Sequence, residues 1–235
     1  MKRLENMTKK ISIFLLLFFL LGCVATQKVE GPIKWIWVLT PSETMQAEHH
    51  GSQLANKDGS SEWVLSDYVK NIVDARKKIG AISGVETDLG FVDSETPTAY
   101  FFVYKNRPVV AFAISFLRAL GTDKSAIAVV LAHEYAHVKL SHHAVTKDKN
   151  ISDPLNALIL AALESRDQER AADELGLKWA IEAGFDPCGL IRAVWLSGDE
   201  SQKTSPLSPY PSAFERIGKI NELSVKTRGK PCAGF

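Results

Sequence analysis

The sequence lacks several features that would assign it to common classes of protein. Its 28 basic and 27 acidic side chains leave a formal net charge of +1, so composition gives no indication of a nucleic-acid partner. It has no internal repeat and no glycine-rich phosphate loop. Its main apolar run, residues 11–21, is too short to cross a membrane comfortably. With 235 residues, 46% of them hydrophobic, the chain can nevertheless bury the core of one domain.

The first 23 residues have the pattern of an export signal. Residues 1–10 carry four basic side chains against one acidic side chain, residues 11–21 form an apolar segment of secretory length, and Leu20-Leu21-Gly22 precedes Cys23. This end resembles a bacterial lipobox, which implies that residues 1–22 are a lipoprotein signal peptide and that Cys23 carries a lipid anchor. The residue after Cys23 is Val24 and not aspartate. This choice resembles lipoproteins that are sorted to the outer membrane, and it would leave the protein facing the periplasm. An uncleaved anchor helix is the alternative.

The rest of the chain divides at about residue 62. Residues 23–61 are polar and turn-rich, and we interpret them as an N-terminal tether or extension. Residues 62–235 predict an α+β domain, mostly helical with a small antiparallel or mixed sheet. Its predicted helices cover residues 62–79, 124–142, 154–183, 189–196 and 212–223, and its predicted strands cover 87–93, 99–104 and 108–114.

The most informative segment is His133-Glu134-Tyr135-Ala136-His137, which reads His-Glu-x-x-His within a helix-forming run. Residues four apart lie on the same face of a helix, so both imidazoles can bind one metal ion. Glu134 is placed to act on a water molecule at that ion. This is the pattern of a zinc peptidase, in which three protein ligands leave one position open.

Two residues compete for the role of third ligand. His143 has the offset found in metzincins, but Leu140 stands where that pattern has the glycine that turns the chain back toward the metal. Without that turn the helix is expected to continue and to carry His143 away. Glu169 lies on the next predicted helix, which can pack antiparallel to the first. Asp173, one turn further on, can accept a hydrogen bond from a ligand histidine.

With these residues in view, residues 98–217 resemble the M48 family of gluzincin peptidases, and the domain is expected to be zincin-like. The shared segments are Ala99-Tyr100, residues 109–113, residues 133–137, Ser165-Arg166 with Glu169, Ala172 and Asp173, and residues 183–187. The resemblance implies Glu169 as the third ligand of one Zn²⁺ and Arg216 as a residue of the surrounding shell. It also implies that the strand before the helix with the His-Glu-x-x-His segment is an edge strand on which extended peptide docks. This strand consists of Val109, Val110, Ala111, Phe112 and Ala113.

The sequence departs from the family at two positions. Ala171 replaces a frequent glutamate, and Tyr210 stands before Pro211 where the family usually has histidine. A tyrosine hydroxyl can donate to an oxyanion, so Tyr210 is a candidate catalytic residue. It can equally coordinate zinc and hold the site shut.

We therefore expect a zinc-dependent endopeptidase of the bacterial cell envelope that degrades or processes misfolded envelope proteins. Its substrate would be unfolded or extended polypeptide, and its membrane contact the lipid on Cys23. The alternative is a metal-binding chaperone or assembly lipoprotein with weak or gated proteolysis. In an exported chain, Cys188 and Cys232 favour a disulfide, with two unpaired thiols as the alternative.

Overall fold

The fold is α+β, as predicted, with a small mixed sheet backed by helices. The computed structural model describes residues 35–55, 59–95, 97–142, 154–197 and 211–232, with the backbone alone for residues 35, 154–164 and 197. In chain order its elements are β1 (Trp35–Leu39), α1 (Pro41–His50), β2 (Ser52–Ala55), β3 (Ser61–Val64), α2 (Ser66–Ser83), β4 (Asp88–Asp93), β5 (Ala99–Tyr104), β6 (Arg107–Ala113), α3 (Ile114–Leu120), α4 (Lys124–Lys139), α5 (Pro154–Glu182), α6 (Gly189–Ser197) and α7 (Ala213–Arg228).

The main sheet has four strands in the order β1-β4-β6-β5. β4 and β6 pair in parallel, whereas β1 pairs antiparallel with β4 and β5 pairs antiparallel with β6. β2 and β3 form a separate antiparallel hairpin. The sheet therefore ends in β1 on one side and β5 on the other.

This strand order corrects the expectation that residues 109–113 are an edge. They belong to β6, which is hydrogen-bonded to β4 on one side and to β5 on the other. Val109, Val110, Ala111, Phe112 and Ala113 are all buried. An unbroken apolar run of this kind is typical of a strand covered on both faces. The edge strand that contacts α4 is β5.

Residues 35–55 also differ from expectation. Instead of a tether, they form β1, α1 and β2, and β1 completes the sheet through five paired positions with β4. Thr40 begins α1 with a reciprocal pair of hydrogen bonds to Glu43, a capping box that makes a helix start favourable. The predicted helix at residues 62–79 begins later, at Ser66, because residues 61–64 pair with β2.

Helix α4 runs through the centre of the domain. Every residue from Ala126 to His137 is buried, which explains why this helix is apolar on all sides. It packs against α2, α5, α6 and β5. No helix among the described residues combines the length and apolar character needed to cross a membrane.

The turn between α5 and α6 is the one predicted, whereas α7 continues past its predicted end at Leu223 to Arg228. Gly184, with φ of +85°, ends the turn after α5, and the Ser212 hydroxyl accepts from the Glu215 N–H at the start of α7. Cys188 and Cys232 form a disulfide that ties the start of α6 to the end of the described chain.

Candidate metal centre

The two histidines of the metal motif are held by a well-defined helix. Asp123 Oδ1 accepts from the Ala126 N–H at 3.0 Å, which confirms Asp123 as the N-cap of α4. Four residues apart on this helix, His133 and His137 lie on one face, with their Nε2 atoms 3.0 Å apart. Both side chains are buried, so their orientation is fixed by packing.

Helix α5 runs antiparallel to α4 and brings Glu169 to the same point. Its Oε2 lies 3.4 Å from His133 Nε2 and its Oε1 lies 3.4 Å from His137 Nε2. The close approach of the helices depends on Gly176, because a Cβ there would lie 2.8 Å from the backbone N and Cα of His133. The antiparallel packing predicted from sequence is therefore present.

His133, His137 and Glu169 form a buried group that can hold a metal ion. Around a tetrahedral ion with bonds of about 2.0–2.1 Å, ligand atoms lie about 3.3 Å from one another. Both histidine–carboxylate distances, at 3.4 Å, agree with this spacing. Two imidazoles and a carboxylate are also a donor set that a divalent transition metal accepts. The residues present fit such an ion.

A buried ion-pair network contacts His133 at Nδ1, the ring nitrogen that does not face Glu169. His133 Nδ1 lies 2.9 Å from Asp173 Oδ1, a close ion-pair contact without hydrogen-bond geometry, and His133 Nε2 is the nitrogen that faces Glu169. Arg216 in turn donates two hydrogen bonds of 2.7 Å to the Asp173 carboxylate. Asp173 and Arg216 therefore occupy the supporting positions that the sequence suggested, although Arg216 reaches the site only through Asp173.

These contacts shift the ionisation of the site. Burial lowers the pKa of His133, but its contacts with Asp173 and Glu169 outweigh burial and raise that pKa to about 10. Burial raises the pKa of Asp173, but the charge of Arg216 and the contact with His133 bring it down to about 2. Burial also opposes ionisation of Glu169, yet the two histidines hold its pKa well below the usual range. Without a metal, the proton on His133 and the charge of Arg216 together balance the carboxylates of Glu169 and Asp173.

Glu134 is distinct from the other carboxylates of the site. It is buried, and its Oε2 has no hydrogen-bond partner among the described residues. Burial raises its pKa to about 7, with the nearby His133 and His137 opposing that rise. A buried carboxylate oxygen left without a partner is costly in a folded protein and calls for a functional explanation.

Two further residues contact His137, and neither was predicted from the sequence. The Phe101 ring of β5 stacks on the His137 ring, with centroids 6.0 Å apart and planes at 21°. His142 Nδ1 lies 3.0 Å from His137 Nδ1. The predicted helix end at residue 142 is wrong, because α4 ends at Lys139 and the chain turns back at Ser141 with φ of +54°. The only signal in the sequence is the clustering of histidines.

Several expected site residues lie outside the described part of the chain. These are Tyr210, His143 and the lipidation site Cys23. Their roles stay predictions.

Comparison with known proteins adds nothing to this geometry. The chain matches no model of a known protein family and no curated protein.

Proposed function

We propose that this protein is a zinc-dependent endopeptidase of the M48 gluzincin type. The observation that carries the proposal is the convergence of His133, His137 and Glu169 at ligand spacing, beside a buried Glu134 oxygen that has no partner among the described residues. Structural zinc sites are usually closed by four protein ligands. Three ligands next to a carboxylate poised near neutral pKa support a hydrolytic site instead.

In this proposal each side chain has a defined task. His133 Nε2, His137 Nε2 and a Glu169 carboxylate oxygen would hold Zn²⁺. When bound, the ion would polarise a carbonyl oxygen and lower the pKa of water. Glu134 takes the proton of the attacking water and returns it to the leaving amine nitrogen. In the metal-free protein burial raises the pKa of Glu134 to about 7, and burial of this kind favours a carboxyl group that can both accept and release a proton.

The outer edge of β5 supports an extended polypeptide as the substrate. The Ala113 N–H donates to the Thr98 carbonyl, and the β5–β6 register continues from that pair. Backbone groups alternate in direction along an antiparallel strand, so those of Ala99, Phe101 and Val103 point away from β6. A peptide added along this edge would pass next to His137, on which Phe101 stacks.

The proposed cellular setting rests on the sequence alone. The signal-like residues 1–22 and Cys23 support a lipid-anchored envelope protein facing the periplasm, with Val24 favouring the outer membrane. In that setting, a β5 edge that binds extended peptide through backbone hydrogen bonds would suit misfolded envelope proteins as substrates. We infer a role in protein quality control.

Cleavage of unfolded casein tests the proposed activity. The zinc-loaded wild type should cleave casein, and a chelator should abolish cleavage. Glu134→Gln should retain zinc but lose cleavage by a factor of about a hundred or more, since it removes the general base. If Glu134→Gln cleaves like wild type, the assigned base is wrong. If wild-type protein binds zinc and suppresses aggregation of unfolded protein without cleaving it, the chaperone alternative is correct.

Zinc analysis of two variants tests the third ligand. Glu169→Ala should lose zinc at concentrations that saturate wild type, whereas His143→Ala should keep it. The opposite pattern would establish the metzincin arrangement.

A further inference from the structure

His137 and His133 are supported in different ways. The Nδ1 atom of His133 faces the carboxylate of Asp173. The Nδ1 atom of His137 faces a second imidazole, with His142 Nδ1 at 3.0 Å and the two rings edge to face at 70°. One candidate ligand therefore contacts a carboxylate and the other contacts an imidazole.

Hydrogen placement in the His137–His142 pair follows from chemistry. His137 directs Nε2 toward Glu169 and His133, so a ligand lone pair must lie on Nε2 and the proton on Nδ1. The contact at 3.0 Å then requires His142 Nδ1 to accept, with its own proton on Nε2. Ligand histidines almost always donate their second N–H, commonly to a carboxylate, a backbone carbonyl or water; at His137 the group in that position is the imidazole of His142.

The backbone after α4 is shaped to make this contact. Ser141 adopts a left-handed conformation that serine rarely adopts, with φ of +54°. The His142 N–H then donates to the His137 carbonyl at 3.0 Å, a helix-ending bond that folds the chain back over the last turn. This turn places the side chain of His142 against the residue five positions earlier.

We propose that His142 is a positioning residue that accepts a hydrogen bond from His137 Nδ1 and thereby fixes the tautomer and orientation of that metal ligand. The inference rests on the proposed function, since it requires that His133, His137 and Glu169 bind the ion. Phe101 limits rotation of the same ring from its stacked position.

The first test measures Zn²⁺ affinity by competition with a chromophoric chelator at pH 8. His142→Ala removes the acceptor and should weaken binding by about tenfold to a hundredfold. His142→Asn should retain most of the affinity, because its Oδ1 occupies about the place of the imidazole Nδ1 and can accept. His50→Ala, an exposed histidine in the last turn of α1, is the matched control and should bind like wild type.

The second test changes the turn and leaves both rings in place. Ser141→Gly suits the left-handed conformation and should bind Zn²⁺ at least as well as wild type. Ser141→Val disfavours that conformation and should weaken binding in the same direction as His142→Ala.

The third test needs no variant at the contact. In the ¹⁵N spectrum of zinc-loaded wild type, His142 should show an unprotonated Nδ1 and His137 a protonated Nδ1. Observation of the reverse tautomers, or equal Zn²⁺ affinity of His142→Ala and wild type, would overturn the proposal and leave the proposed function intact. Failure of wild type to bind Zn²⁺ would overturn both.

Discussion

Replacing Gly176 with alanine tests whether the close packing of α5 on α4 builds the metal centre. The added Cβ would lie 2.8 Å from His133 N and Cα and 2.9 Å from the Ala132 carbonyl carbon. All three are backbone atoms of a buried helix and cannot rotate away. The helices must therefore separate by about 0.6 Å to reach ordinary van der Waals contact, which begins at 3.4 Å.

Two opposing effects set the magnitude. Alanine in place of glycine inside a helix is favourable by about 1 kcal/mol. Overpacking of a rigid interior costs about 1–3 kcal/mol. Gly218 provides the matched control, since it lies in α7 and a Cβ there would meet nothing within 4 Å. Gly218→Ala should stabilise the protein by about 1 kcal/mol, whereas Gly176→Ala should leave it unchanged or destabilise it by up to about 2 kcal/mol.

The assay combines unfolding in urea with Zn²⁺ titration. Glu169 lies two helical turns before Gly176 on the same helix, so a shift of α5 moves its carboxylate relative to both histidines. A displacement of this size exceeds what a preorganised site tolerates, and Zn²⁺ affinity should fall by about tenfold or more, as for other changes around ligands. If Gly176→Ala gains stability like Gly218→Ala and binds Zn²⁺ like wild type, the close approach does not build the site.

Three further predictions follow from the electrostatics and the disulfide. His133 has a pKa raised to about 10, so an incoming Zn²⁺ must displace a proton at pH 7. Calorimetry in buffers of different ionisation enthalpy should therefore detect release of about one proton from His133. The apparent Zn²⁺ affinity should rise about tenfold per pH unit between pH 7 and 9. The same proton stabilises the metal-free protein: its contribution to the free energy of unfolding is complete below pH 6.5 and is lost as the pH rises through about 10. A Zn²⁺ affinity and an unfolding free energy that do not change with pH over this range would contradict the assigned contacts of His133. Asp173→Asn leaves the buried Arg216 without its anion and should lower the free energy of unfolding in urea by about 3 kcal/mol. It should also weaken Zn²⁺ binding tenfold or more. The control Asp167→Asn breaks an exposed ion pair and should change neither the stability nor the Zn²⁺ affinity. Replacing Cys188 and Cys232 together by serine should destabilise the protein by about 3–4 kcal/mol without changing Zn²⁺ affinity, because the bond lies toward the opposite end of α4, where Gly189 meets Ala126.

Local pattern was sufficient for the elements that carry the metal ligands. The apolar run of α4 and the cap at Asp123 fix where that helix begins, and the four-residue spacing of His133 and His137 fixes their common face. Glu169 was predicted because it lies on a second long helix that can pack antiparallel to the first, and because the M48 resemblance implies a glutamate ligand at this position. The fold class followed from the order of helices and strands.

The errors concern features that depend on distant parts of the chain. The position of β6 inside the sheet is set by its parallel pairing with the distant strand β4 on the side opposite β5. The prediction of an edge at residues 109–113 came from the family resemblance, whereas an unbroken apolar run of this kind is typical of a strand covered on both faces. His142 was not predicted because its contact requires a left-handed serine, a conformation that side-chain chemistry at Ser141 does not specify.

The central claim is tested most directly by a crystal structure of the zinc-loaded protein with anomalous data collected at the zinc edge. One ion should lie about 2.0–2.2 Å from His133 Nε2, His137 Nε2 and a Glu169 oxygen, with no fourth protein ligand. An ion held elsewhere, or permanent closure of the site by a fourth side chain such as Tyr210, would contradict the account.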